Sequence, residues 1–102
     1  MIAMASPMNS VRLVGALHFV KGAQHQENRL GDYLRFSLKQ DSMDNRGNPR
    51  HDFIMVRVYD EELKEWLETQ KEGTPLRLEG QIKTSVGSGE MYVLGERIDK
   101  DE

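Results

Sequence analysis

Cysteine is absent from the sequence, which excludes disulfide staples, thiolate-bound zinc and a thiol nucleophile together. Long apolar runs are absent as well. No stretch approaches the roughly 20 apolar residues of a membrane-spanning helix. The first residues, Met1 to Pro7, lack the basic segment and apolar run of a secretory signal, and they read as an unstructured leader. Met1, Met4 and Met8 are all potential starts. These absences set the expectation of a cytoplasmic protein without membrane contact. Aromatic residues make up only 7% of the chain, with one tryptophan, so the placement of each ring carries weight.

What is present fits one domain: 102 residues, enough for a limited core. The formal net charge is −3 and the pI about 5.6. Taken as a total, that charge speaks against a nucleic-acid partner, because phosphate binding depends on Lys and Arg releasing counterions. Its distribution decides the matter.

Apolar alternation predicts strands at Val11–Leu17, Tyr33–Gln40 and Phe53–Tyr59. In the second, Leu34, Phe36 and Leu38 face one way; in the third, Ile54, Val56 and Val58 do. His18–Gly31 reads as a polar connection, and Asp41–Arg50 as turn chemistry throughout. The period then changes. Leu63, Trp66 and Leu67 share one face of a helix over Asp60–Glu72, with Asp60 as N-cap, Glu61 and Glu62 in the first turn and Gly73 as the stop. Pro75 opens a fourth strand carrying Leu76, Leu78, Gly80 and Ile82 on its apolar face. After a turn at Ser85–Glu90, the last strand, Met91–Ile98, is expected to put Tyr92, Leu94 and Ile98 on one face.

Three strands, a helix, then two strands is the order of a five-stranded OB-fold barrel, all-β with one helix between strands 3 and 4. The rival on pattern alone is an open α+β sheet with the helix across one face. Gly15 and Gly80, inside strands, favour a sheet bent enough to close. The expected domain spans residues 8–99, with 100–102 as the C-terminal end.

Six basic residues, Arg12, Arg35, Lys39, Arg57, Arg77 and Lys83, lie on strand faces opposite the apolar stripe. Tyr33, Phe53 and Tyr59 share those faces, and Glu79 is the one acid placed among them. Acids gather instead on the helix and at Asp99, Asp101 and Glu102. Rings interleaved with cations on a sheet suit single-stranded nucleic acid, with bases stacking and phosphates meeting cations. The plainer reading is that any solvent-facing strand prefers such residues. Trp66 belongs with Leu63 and Leu67 in the core. His18, His25 and His51 have no metal-ligand spacing, and no segment has the context of a catalytic triad. Gly87 and Gly89 lie in a hairpin, not in a phosphate-cradling strand-to-helix loop. No cofactor, metal or small-molecule substrate is expected.

Several ordered segments resemble bacterial single-stranded DNA-binding proteins. Met8–Gly15 is similar to their opening Met-Asn-x-Val-x-Leu-x-Gly strand, and Leu34–Leu38 to their second strand. Glu65-Trp66-Leu67 with Glu72-Gly73-Thr74 resembles their helix end. Leu78–Thr84 (LEGQIKT) is the most specific match, and Tyr92 with Glu96–Ile98 resembles their last strand. The resemblance implies an OB barrel that forms homodimers or homotetramers and binds single-stranded DNA in replication, repair or recombination. It implies base stacking on Phe53 and Tyr59, with backbone contacts from Arg12, Arg35, Arg57, Arg77 and Lys83, and Tyr33 and Lys39 as secondary contacts. Two further ring positions of that family fall near Met43 or Asp44 and near Gly87, where no ring stands. The Ser85–Glu90 hairpin is shorter than theirs, and their acidic tail has no counterpart after Ile98. The expectation is a reduced relative with a weaker or shorter footprint, like primosomal-type accessory proteins or the short stand-alone forms of cyanobacteria and plastids; in the last case the location is the plastid stroma. The alternative is an OB-fold protein-interaction module with little or no DNA affinity.

Overall fold

The computed structural model describes residues 8–19 and 25–102; the expected leader at residues 1–7 lies outside them. Apolar alternation produces the strands where the side chains can be buried. On β3 (Gly31–Met43), Leu34, Phe36 and Leu38 point inward. On β4 (Pro49–Val58), Val56 and Val58 do the same. β1 (Val11–His18) contributes Leu17, and β5 (Pro75–Thr84) contributes Leu76 and Leu78. These side chains form one core, joined by Leu67 from helix α1 (Glu61–Glu68) and by Val93 and Ile98 from β6 (Met91–Lys100). Each fully buried side chain of this size favours folding by about 1.5–3 kcal/mol over its exposed state.

The strands run in the order β1-β5-β6-β4-β3, and pairing of β1 with β3 closes them into a five-stranded barrel. Only the β4–β6 contact is parallel among these pairings. β1 changes partner at the corner, pairing with β5 from Val11 to Ala16 and with β3 from Ala16 to His18. Gly15 permits this, since a Cβ there would stand 2.6 Å from the Lys39 carbonyl oxygen. Gln40 Nε2 donates to the Val14 carbonyl at the same corner, 3.0 Å away.

Several expectations need correction. A short strand, β2 (His25–Asn28), pairs with β3 inside the region read as a plain connection. Helix α1 therefore follows β4 in chain order, although among the barrel strands it still separates the third from the fourth. β2 has no apolar residue, so no alternation announced it. Second, β3 and β4 stay paired out to Met43 and Pro49, well into the segment read as turn. The turn itself is tight. Asp44 Oδ1 accepts from the amides of Arg46 (2.8 Å) and Asn48 (2.9 Å), and Gly47 supplies a φ of 80°. Third, the inward residues of β6 are Val93, Gly95 and Ile98, not Tyr92 and Leu94. Glu79 pairs with Arg97 and Gly80 with Gly95, so Glu96 is an extra residue. This β-bulge shifts the period by one and turns Tyr92 outward. Gly80 is required there, because a Cβ would collide with the Leu94 carbonyl oxygen.

The helix is capped as expected: Asp60 Oδ2 accepts from the Leu63 amide at 2.9 Å. It ends at Glu68, sooner than expected, and Gly73 serves the following turn at φ 92°. Leu63 and Trp66 pack against the core. Lys64 is buried, donating to the Asp32 carbonyl (3.2 Å) and to Glu61 (2.7 Å), which ties α1 to the start of β3. Among the described residues no helix is long and apolar enough to cross a membrane.

Candidate nucleic-acid interface

The inward alternation of β3 and β4 dictates what they show outside. Tyr33, Arg35, Ser37 and Lys39 line the outer face of β3; Phe53, Met55 and Arg57 line that of β4, and Tyr59 follows just past its end. Register sets Arg35 opposite Arg57, Ser37 opposite Met55 and Lys39 opposite Phe53. On the other side of β4 stands β6, with Tyr92 turned outward by the bulge.

Arg57 is the centre of this face. Its guanidinium carbon lies 4.8 Å from the Tyr33 ring centroid and 4.0 Å from that of Tyr92. These rings come from the strands on either side of β4, so they hold the guanidinium between them. Cation–π contacts of this kind contribute about 0.5–1 kcal/mol when exposed and about 2 when desolvated. Arg57 Nη2 also donates to Ser85 Oγ at 3.1 Å. Tyr59 extends the row, its ring 5.2 Å from that of Tyr33, with its hydroxyl accepting from Asn28 Nδ2 at 2.8 Å. Tyr33 is only 8% exposed. It serves as a backing for Arg57 and Tyr59 more than as an open platform.

At the other end of the face Phe53 is 51% exposed, with its ring 5.1 Å from that of His18. Met55, Met91 and Ile82 continue an apolar surface around a depression of about 280 Å³. Towards Tyr59 the face deepens into a groove of about 630 Å³. Its floor is Tyr33, Arg57 and Tyr92. The β2–β3 turn (Asn28, Arg29, Leu30) forms one wall, and Thr84, Ser85 and Val86 form the other.

The structure divides the nine candidate residues. Tyr33, Arg35, Lys39, Phe53, Arg57 and Tyr59 share the β3–β4 face. Lys83 stands beside Tyr92 in the β5–β6 register. Arg12 and Arg77 lie on the outer side of β1 and β5, which the closed strand order places across the barrel from β4. Each pairs with an acid there: Arg12 with Glu79 (3.5 Å) and Arg77 with Asp101 (2.9 Å). Lys39 approaches Asp41 at 3.8 Å. Arg35 and Lys83 form no ion pair among the described residues. Tyr92 was missed because the bulge is invisible to a period-2 reading.

Acids concentrate elsewhere. Glu27, Asp32, Glu61, Glu65 and Glu68 line a separate groove between β2 and α1. His18, His25 and His51 face single carboxylates: Glu72 (3.3 Å), Glu68 (2.7 Å) and Asp41 (2.6 Å). The bond with His51, then the Lys39 ammonium, hold the Asp41 carboxyl below its ordinary range. Among the described residues no group of three or more metal-ligating side chains is assembled.

A closed five-stranded barrel with this strand order and one helix before β5 is an OB fold, here with a cation–aromatic outer face. No known family's sequence profile matches the chain, and no curated protein matches it. Solved structures do. A mitochondrial single-stranded DNA binding protein from S. cerevisiae superposes with a TM-score of 0.72 at 15% identity, covering 92% of this chain and 96% of that one. A Plasmodium falciparum single-stranded DNA-binding protein, solved in complex with single-stranded DNA, gives 0.69 at 14% identity, with 98% and 100% covered. The N-terminal domain of the PriB protein from Thermoanaerobacter tencongensis, solved as a dimer, gives 0.65 at 17% identity, with 92% and 97% covered. The likeness establishes the OB fold.

Proposed function

We propose that the chain is a non-enzymatic single-stranded DNA-binding protein that contacts DNA through the β3–β4–β6 face without sequence preference. One observation carries the reading: Arg57, held between Tyr33 and Tyr92, faces Arg35, and among the described residues no carboxylate is bonded to either. Such an arrangement is completed by an anion with flat aromatic groups attached. Tyr92, Tyr59 and Phe53 supply stacking surfaces; Arg35, Arg57 and Lys83 meet phosphates. Arg12 and Arg77, engaged with acids across the barrel, have no part in it. The solved neighbours support the reading, since the Plasmodium one holds single-stranded DNA.

The working unit is a homodimer or homotetramer, a reading supported by the dimeric PriB neighbour and testable by light scattering. Its place is in replication, repair or recombination, in the cytoplasm or the plastid stroma. Anisotropy titration of a labelled oligo-dT at low and high salt tests the function. Salt-dependent binding is expected; no binding at low salt overturns it.

The exposed apolar surface of Phe53, Ile82 and Met91 favours a second reading, an OB module that docks a replication or repair protein. Nuclease-resistant association with such a protein, in a chain that fails to bind oligo-dT, would select it.

A further inference from the structure

Two histidines join the outer face of the barrel to the far end of α1. His18 closes β1, and His25 opens β2. Their carboxylate partners lie four residues apart: Glu68 ends α1, and Glu72 follows in the turn before β5. His25 Nε2 stands 2.7 Å from Glu68 Oε1, and His18 Nδ1 stands 3.3 Å from Glu72 Oε1. The same Glu72 oxygen accepts from the Phe19 amide at 3.2 Å. Backbone bonds join Leu17 to Gly73 (2.8 Å) and Thr74 (2.9 Å), so the end of β1 is fixed against this turn.

Each histidine leads to one ring of the candidate interface. The His18 ring is 5.1 Å from that of Phe53. His25 leads along the four residues of β2 to Asn28, whose Nδ2 donates to the Tyr59 hydroxyl at 2.8 Å. β2 has no apolar side chain to anchor it, and it sets Glu27 opposite Asp32, a like-charged pair that weakens the ladder. Its bond to α1 therefore matters for where it sits. Phe53 and Tyr59 stand at the two ends of the outer row of β4, and Phe53 is half-exposed. A ring already held in its binding orientation loses less freedom when a base stacks on it.

We propose that His18 and His25 are positioning residues for the single-strand face, a clamp that holds Phe53 and Tyr59 most firmly when both imidazoles are protonated. The clamp rests on the single-strand reading above and adds a proton-dependent control to it. Imidazole is the side chain that changes charge between about pH 5 and pH 8. A charged imidazole bonds a carboxylate more strongly than a neutral one does. The clamp is thus complete at the acid end of that range and loosens as pH rises through it. Around His25 stand Glu27 of β2, Asp32 of β3, and Glu61, Glu65 and Glu68 of α1. Lys64 is the ammonium among them, already bonded to Glu61 and to the Asp32 carbonyl. Around His18 stand Glu72, the Phe53 ring and, on β3, Ser37 opposite it and Lys39 beside Phe53. Carboxylates and ammonium groups as classes keep their charge across this range, so the imidazoles are the responsive members.

Oligo-dT anisotropy on the full chain, at fixed ionic strength, tests the clamp with His18→Gln, His25→Gln, Glu68→Gln and Glu72→Gln. Parent affinity should rise by about 2–10-fold as pH falls from about 8 to about 5.5, since one exposed pair of this kind shifts an equilibrium by up to about fivefold. Each single variant should lose part of that rise, the glutamate variant as much as its histidine partner, and the double histidine variant should be flat. His51→Gln, whose partner Asp41 lies in the β3–β4 hairpin, should keep the rise. In DNA-free protein the Tyr59 ring resonances should shift over the same range and stay fixed in His25→Gln. A rise that survives both glutamate variants and vanishes in the histidine ones means that the imidazoles touch phosphate directly, which overturns the clamp. A parent that binds oligo-dT with a flat pH profile, or histidine variants that follow the parent profile, also overturn it and leave the single-strand reading standing. A parent that binds at no pH overturns both.

Discussion

Arg35 and Arg57 stand directly opposite each other across the β3–β4 ladder. Among the described residues neither is bonded to a carboxylate. Like charges in this position cost an antiparallel pair about 0.2–1 kcal/mol. Function and stability therefore pull apart at Arg35. Arg35→Thr is expected to raise the thermal unfolding midpoint by a few degrees while weakening oligo-dT binding. Calorimetry and anisotropy on the same sample check this; a variant less stable than the parent would contradict it.

Tyr92 acts through its ring, which lies 4.0 Å from the Arg57 guanidinium carbon. Tyr92→Ala removes a stacking surface and one side of the Arg57 support, and is expected to weaken oligo-dT binding by about 1–3 kcal/mol. Tyr92→Phe keeps the ring and should bind nearly as the parent does. Equal losses in the two variants would mean that the hydroxyl, not the ring, makes the contact.

Gly80 sits where a Cβ would collide with the Leu94 carbonyl oxygen. Gly80→Ala must push β5 and β6 apart at the bulge, at a cost of about 1–3 kcal/mol. Gly95 offers a milder comparison, since the nearest atoms to a Cβ there are side-chain carbons of Val56, Val58 and Ile98 at 3.1–3.3 Å. Urea unfolding should place Gly80→Ala below Gly95→Ala in stability.

Much of this architecture is legible in the sequence because the core alternates cleanly. Leu34, Phe36 and Leu38 on β3, and Val56 and Val58 on β4, are inward in both readings. The helix face of Leu63, Trp66 and Leu67 is legible for the same reason. β2 is not, since His25–Asn28 is wholly polar, and among the described strands it pairs with β3. Tyr92 is not, because one inserted residue at Glu96 reverses every side chain on the near side of it. The division of the cations is hidden for a deeper reason. Period 2 tells inside from outside, but it does not tell which arc of a closed barrel an outward residue occupies. Arg12 and Arg57 look alike in the sequence and stand on opposite sides of the fold.

The β3–β4 turn depends on an ionised Asp44. Hydrogen bonds from the Asn48 and Arg46 amides hold its carboxyl below the ordinary aspartate value of 3.8. A carboxyl lowered on folding adds stability above its unfolded value, and that support is lost as pH falls through the folded value. The Arg46 and Asn48 amide resonances should therefore stay fixed from neutrality down to about pH 4 and move only below it. Asp44→Ala should abolish that titration and loosen the turn at all pH values. Movement of the two amides centred well above pH 4 would contradict the assignment.

The most direct test of the account is the salt dependence of oligo-dT binding, compared between the parent and Arg57→Ala. With Arg35, Arg57 and Lys83 each meeting a phosphate, log K should fall against log salt with a slope of about −2. Arg57→Ala should bind more weakly and flatten that slope by about 0.7. Binding that ignores salt, or an Arg57→Ala chain that follows the parent curve, would contradict a single-strand interface centred on Arg57.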